Sequence, residues 1–202
     1  MQTAIFFDCE FLVTEDARRR FWCGPYDPDP VIVQIGAVKL ALTDEFQIVD
    51  TLKIFIQPFD RNGVPYELDP FFTKLTGITQ DVVDAEGVSL SEANKQIFDF
   101  AGASKLWSWG KDELNMMATS CYIAGIEPSL PANRFDNACQ LLLAAGMPYE
   151  DIKRTPSSGL VSYFGIEHPP LRGHDALDDA LSIAYVVQHL MSEKRLSVSD
   201  FE

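Results

Sequence analysis

Basic charge is what this chain has least of: 16 Lys and Arg stand against 30 Asp and Glu, a formal charge of −14 over 202 residues. Most nonspecific affinity for nucleic acid comes from neutralising phosphates, so this balance excludes a grip on long nucleic acid through a broad basic face. No run of about 18 apolar residues occurs, which leaves nothing for a membrane-spanning helix. The first residues also lack the basic stretch and apolar run of a secretory signal, and a soluble, cytoplasmic protein with no membrane partner is expected. Cysteine is sparse. Cys9, Cys23, Cys121 and Cys139 stand far apart, with no CxxC pair and no histidine at zinc-finger spacing. Free, mostly buried thiols are expected rather than disulfides or a zinc site.

What is present is 47% hydrophobic content, enough for one substantial core. The length suits one compact domain over residues 1–202 better than two. Ala4 to Phe7 is a short apolar run that stops at Asp8-Cys9-Glu10, as a buried strand ending at carboxylates would. Val31 to Leu42 and Leu52 to Ile56 are two further β-rich runs around the turn-like Thr43-Asp44-Glu45, and the three together read as an antiparallel meander. Thr14 to Pro30, with Pro25, Pro28 and Pro30, is an irregular excursion; its Arg18-Arg19-Arg20 is either a solvated stretch or a contact to a phosphate chain.

Helical spacing follows over Leu68 to Leu75 and over Ser89 to Ala101, where Ser89 and Glu92 stand in capping-box relation. Lys105 to Trp109 predicts a strand, then a helix running to Ala124 with Gly125 as its stop. A short strand ending at Phe135-Asp136, a helix over Ala138 to Ala145 and a last helix from Asp175 to about Lys194 complete the order. Strands first, then alternating helices and strands, predict an α/β fold with a mixed sheet: an antiparallel meander, then parallel strands, flanked by helices.

Three short segments carry chemistry. Asp8 and Glu10 are two apart on a strand and so share one face, where they repel unless a cation lies between them. Alone, such a pair is common. Asp179 follows His174 by five residues, so a helix starting after the histidine brings the carboxylate round beside the imidazole, an arrangement that suits a general base. Asp175 and Asp178 are expected to complement the helix dipole. Asp112, after a strand and a glycine, is either an ordinary helix cap or the acid that completes the set begun at Asp8 and Glu10.

FFDCEF, WGKDELNMM and HDALDD, in this order, resemble the three motifs of the DEDDh, or DnaQ-like, 3′→5′ exonucleases. Val31 to Val38, Ile56-Gln57-Pro58 and Leu75 to Thr79 resemble further landmarks of that family, and the DCEF form and the WG pair resemble its Eri and KapD branch. The resemblance implies a ribonuclease H-like fold, metal ligands at Asp8, Glu10, Asp112 and Asp179, and a general base at His174. It also implies two Mg²⁺ or Mn²⁺ ions, which hard oxygen ligands favour over zinc. Glu113 competes with Asp112 for the second-motif position. Asp112 is preferred because Met116 and Met117 then fall as in the Eri branch. Asn133-Arg134-Phe135-Asp136 imitates the second motif, but would leave too little chain before His174, and Asp136 is expected to cap a strand end.

The implied reaction releases nucleoside 5′-monophosphates from the 3′ ends of single-stranded RNA or DNA. The acidic surface favours short substrates held through metal. Phe11, Leu12 and Leu75 are candidates for stacking on the terminal base, with core packing as the alternative. A homodimer is compatible with the resemblance. Two rival readings are a noncatalytic nucleic-acid-binding or scaffold protein that retains the fold, and an endonuclease of related fold.

Overall fold

The computed structural model describes residues 2–43 and 45–201. Five strands form one sheet: β1 (Thr3–Phe11), β2 (Ile32–Ala41), β3 (Ile48–Phe55), β4 (Leu106–Ser108) and β5 (Phe135–Asn137), in the spatial order β3-β2-β1-β4-β5. The pairs β1–β2 and β2–β3 are antiparallel, while β1–β4 and β4–β5 are parallel. The expected mixed sheet is therefore present. Of the turn expected at Thr43-Asp44-Glu45, Asp44 lies outside the described residues.

The helices are α1 (Pro70–Thr76), α2 (Gln80–Glu86), α3 (Leu90–Ala101), α4 (Asp112–Ala124), α5 (Ala138–Ala144), α6 (Tyr149–Ile152), α7 (Leu160–Phe164) and α8 (Ala176–Ser192). Their ends follow local chemistry. The Ser89 hydroxyl accepts from the Glu92 amide at 3.2 Å and starts α3. Gly125, at φ 65°, closes α4 in the left-handed conformation that costs glycine nothing. Asp175 caps α8, its carboxylate accepting from the Leu177 and Asp178 amides at 3.1 and 3.4 Å.

Strand alternation divides the core. Ala4 and Phe6 point to the face covered by α8, where they pack with Val38, Leu40, Ile183 and Val187. Ile5, Phe7 and Cys9 point to the opposite face and pack against Ala93 and Ile97 of α3 and Met117 of α4. By the same period of two, Asp8 and Glu10 continue the α8 face. β1 does not stop at these acids as the apolar run suggested. It continues to Phe11, because their backbone groups pair in register with Gly36 and Gln34 of β2.

Those two partners let the start of α8 approach the sheet. A Cβ on Gly36 would lie 2.1 Å from the backbone of Ala176 and Leu177, so only glycine admits the helix here. Gln34, 1% exposed, accepts the Ala176 amide at 2.8 Å and satisfies a donor that the helix start would leave unpaired. Gly36→Ala should therefore cost roughly 3 kcal/mol or more, at the severe end of overpacking. Chemical denaturation measures this, and an unchanged midpoint would show that α8 does not rest on Gly36.

Candidate active site

Four carboxylates converge where β1, α4 and α8 meet: Asp8, Glu10, Glu113 and Asp179, with relative exposures of 7, 8, 7 and 5%. Asp8 and Glu10 are placed by β1. β4 pairs with β1 only as far as Phe6↔Trp107, which leaves the edge beside Asp8 open to the first turn of α4. Glu113 reaches in through that opening, close enough for its charge to act on Asp8. Asp179 lies on the first turn of α8, and its Oδ2 accepts the His174 backbone amide at 3.1 Å. Ligand atoms of Glu10, His174 and Asp179 lie within 4.8 Å of one another.

The structure places the two candidates for the second-motif position differently. Asp112 turns outward, its side chain 58% exposed, and meets Arg18 at 3.2 Å in a solvent-exposed pair. Neighbouring residues on a helix point about 100° apart. With α4 starting at Asp112, that rotation carries Glu113 into the cluster and leaves Asp112 outside it. Burial thus sets Glu113, and not Asp112, among the carboxylates.

Burial and mutual repulsion raise the pKa of all four acids. Desolvation, then the charges of Asp179, Asp175 and Glu113, push Glu10 up to about 8. Desolvation, opposed by the His174 amide and reinforced by Asp175 and Asp178, pushes Asp179 up to about 7. Asp8 is raised well above the usual carboxylate range by burial and then by Glu113, and Glu113 is raised chiefly by burial. Among the described residues, Glu113 Oε2 and Asp179 Oδ1 are buried with no hydrogen-bond partner. Unpartnered buried oxygens are rare because each loses its hydration without replacement. Four buried carboxylates with two orphaned hard oxygens suit a divalent cation such as Mg²⁺ or Mn²⁺.

His174 is exposed and left-handed, at φ 61°. Burial of part of the ring and the charges of Arg18 and Arg172 lower its pKa, which keeps the imidazole neutral and able to accept a proton. Arg172 packs beneath Gly77, where a Cβ would fall 1.7 Å from its guanidinium. Lys53 of β3 holds Asp175 at 2.5 Å and so fixes the start of α8 from the far strand.

Of the three stacking candidates, Phe11 is half-buried, 6.0 Å from Trp22 and beneath Arg18. Leu75 is half-buried against the cluster around Phe72. Leu12 is 2% exposed inside that cluster, the placement of core packing rather than of stacking on a base. Asp136 pairs with Lys105 at 3.3 Å, away from the carboxylates, while the neighbouring Asn137 is the residue that caps α5. Arg18 stood among the candidate phosphate contacts of the sequence, whereas Gln34, Gly36 and Arg172 did not; only the long-range approach of α8 and the loops gives those three their roles. A cavity of about 310 Å³, lined by Ile56, Pro58, Phe59 and Ile123, includes none of the carboxylates, so cavity size does not mark the chemistry.

A sequence model describing an exonuclease family, named for RNase T, matches residues 5–109, which include Asp8 and Glu10. The chain belongs to this exonuclease family. Curated protein sequences give no match. Among solved structures, the nuclease domain of 3′hExo, described as a DEDDh family member bound to rAMP, is 20% identical with a TM-score of 0.71. The match covers 95% of this chain and 92% of that one. A full-length 3′-exonuclease is 18% identical at a TM-score of 0.72, over 95% of this chain and 61% of the other, so this chain spans about three-fifths of that protein. Exonuclease I of E. coli in complex with a dT13 oligonucleotide is 18% identical at a TM-score of 0.62, over 96% of this chain and 42% of that one. The fold is ribonuclease H-like, with its mixed sheet flanked by helices.

Folding raises Glu10 and Asp179 from about 4 in the unfolded chain to about 8 and about 7. A carboxyl raised in this way gives its full stability below the unfolded value and loses it as pH rises through the folded one. His174 acts oppositely, but only below about pH 6.5. The thermal midpoint of the metal-free protein should therefore fall between about pH 7 and 8.5, and Mg²⁺ or Mn²⁺ should raise it more at the upper pH than at pH 6. A flat profile unaffected by either ion, followed by scanning calorimetry, would contradict the assignment.

Proposed function

We propose that the protein is a divalent-cation-dependent 3′→5′ exonuclease that releases nucleoside 5′-monophosphates from short single-stranded RNA or DNA, acting as a single domain in the cytoplasm. The observation that carries this reading is the cluster of four buried carboxylates, two with unpartnered oxygens, beside a histidine kept neutral. Family membership supports the reaction class. The rAMP bound to 3′hExo and the oligonucleotide bound to Exonuclease I support a 5′-monophosphate product and a single-stranded substrate. The DCEF sequence and the WG pair support placement near the Eri and KapD branch.

Asp8, Glu10, Glu113 and Asp179 are the proposed cation ligands. Bound there, two divalent ions would supply charge to polarise the phosphate and acidify a water. His174, on the loop that enters α8, accepts that water's proton at a ring nitrogen as the oxygen bonds to phosphorus and the bond to the upstream 3′ oxygen breaks. Asp179 orients this base through the His174 amide, and Arg18 and Arg172 keep it deprotonated before attack. Phe11 and Leu75 are the proposed contacts to the terminal base.

With a 5′-labelled single strand and Mg²⁺ or Mn²⁺, the wild type should give a ladder of shortened products. His174→Ala should slow it roughly 100- to 10,000-fold. Glu113→Gln should lose about 1000-fold or more, since ligand loss removes several kcal/mol of charge stabilisation. Asp112→Asn should stay within about fivefold, as befits an exposed ion pair. Single-turnover rates check all three. The reverse ranking of Asp112 and Glu113 would sink the ligand assignment, and internal cuts would sink the exonuclease.

A further inference from the structure

The loop between β1 and β2 is built more rigidly than its irregular sequence suggests. The Asp27 carboxylate accepts from the Thr14 hydroxyl at 2.7 Å, the Gly24 amide at 2.7 Å and the Arg20 guanidinium at 2.8 and 2.5 Å. Its side chain is 3% exposed, and these bonds hold its pKa well below the usual carboxylate range. Ala17, fully buried, pins the same loop to the cluster around Phe72. Trp22 donates its indole N–H to the Leu12 carbonyl at 3.2 Å.

A locked loop can hold unfavourable groups in fixed places, and this one does. Phe21 and Trp22 are both left-handed, at φ 54° and 51°, which is uncommon for bulky residues. Trp22 is half-buried against Phe11, but Phe21 is 82% exposed. The Phe21 amide donates to the Arg18 carbonyl at 3.3 Å, which closes a turn and keeps the two Cα atoms within about 7 Å. Arg18 in turn lies over the Phe11 ring at 5.9 Å and meets Asp112, next to the ligand candidate Glu113, at 3.2 Å. An exposed aromatic and an arginine thus stand on one rigid turn at the edge of the carboxylate site, on a chain otherwise short of positive charge.

We infer that this turn is a binding subsite for the single strand upstream of the terminal nucleotide: Arg18 exchanges Asp112 for a backbone phosphate, and Phe21 stacks on the following base. The chemistry fits a sequence-tolerant contact, because every base has a face to stack and every linkage a phosphate. It also explains how an acidic protein would engage more than the end of its substrate. The inference rests on the proposed function for the identity of the ligand, but not on turnover.

The test is fluorescence anisotropy with a 5′-fluorescein-labelled dodecanucleotide and dinucleotide, each in Ca²⁺ and at several salt concentrations. Phe21→Ala should weaken the dodecanucleotide roughly 5- to 100-fold, the range of one lost stacking contact, so that its affinity relative to the dinucleotide falls. Arg18→Ala should weaken the dodecanucleotide more than the dinucleotide and reduce the dodecanucleotide's salt slope by about 0.7, the value for one phosphate contact on a single strand. Phe98→Ala, an exposed aromatic on α3, should leave the length dependence as it is. Equal dodecanucleotide affinity for wild type and Phe21→Ala, or equal loss for both probes, would overturn the subsite. Absence of hydrolysis in the wild type would instead count against the exonuclease reading, since binding is measured separately.

Discussion

Repulsion among four buried carboxylates is the constraint around which this fold is arranged. Asp8, Glu10, Glu113 and Asp179 are each less than 10% exposed, and burying one unpaired carboxylate costs several kcal/mol. Protein donors meet part of that demand: the His174 amide serves Asp179, and Ser108 and a backbone amide act on Glu113, while two oxygens in the set have no partner among the described residues. Proton uptake is one answer, visible in the raised pKa values of Glu10 and Asp179, and a divalent cation is the other.

Holding the acids together requires close approach by elements far apart in sequence. The register of β1 on β2 sets Gly36 opposite Asp8 and Gln34 opposite Glu10. The first removes a side chain and the second supplies an acceptor, so α8 can begin against the sheet with Asp179 in its first turn. The early end of β4 gives α4 its opening for Glu113. Apolar packing on both faces then fixes the geometry, with α8 on the carboxylate face and α3 and α4 on the other. Positive charge is confined to the rim, where Arg18 and Arg172 bias His174 without neutralising the cluster.

Much of this was legible in the sequence wherever one periodicity governed. Two-residue alternation placed Asp8 and Glu10 on a common face, and the helical turn after His174 placed Asp179 beside it. The caps at Ser89 and Gly125 were legible from residue type alone. Asp112 and Glu113 were not separable in that way, because a helix displaced by one residue exchanges their directions, and the spacing to Met116 and Met117 favoured Asp112, the one that the structure leaves exposed. Leu12 misled for a related reason: the irregularity in pairing after Glu10 turns the chain so that Leu12 enters the core. The start of β3 was missed because an edge strand carries exposed Val49, Asp50 and Thr51, and the short α2, α6 and α7 were missed because one or two turns give no period to read.

The proposed chemistry depends on where divalent cations bind. Anomalous diffraction from crystals soaked in Mn²⁺ locates them independently of any substrate. It should place manganese within coordination distance of Asp8, Glu10, Glu113 and Asp179, with Asp112 still turned toward Arg18. Manganese held by Asp112 in place of Glu113, or no manganese at the cluster under saturating soak, would contradict it.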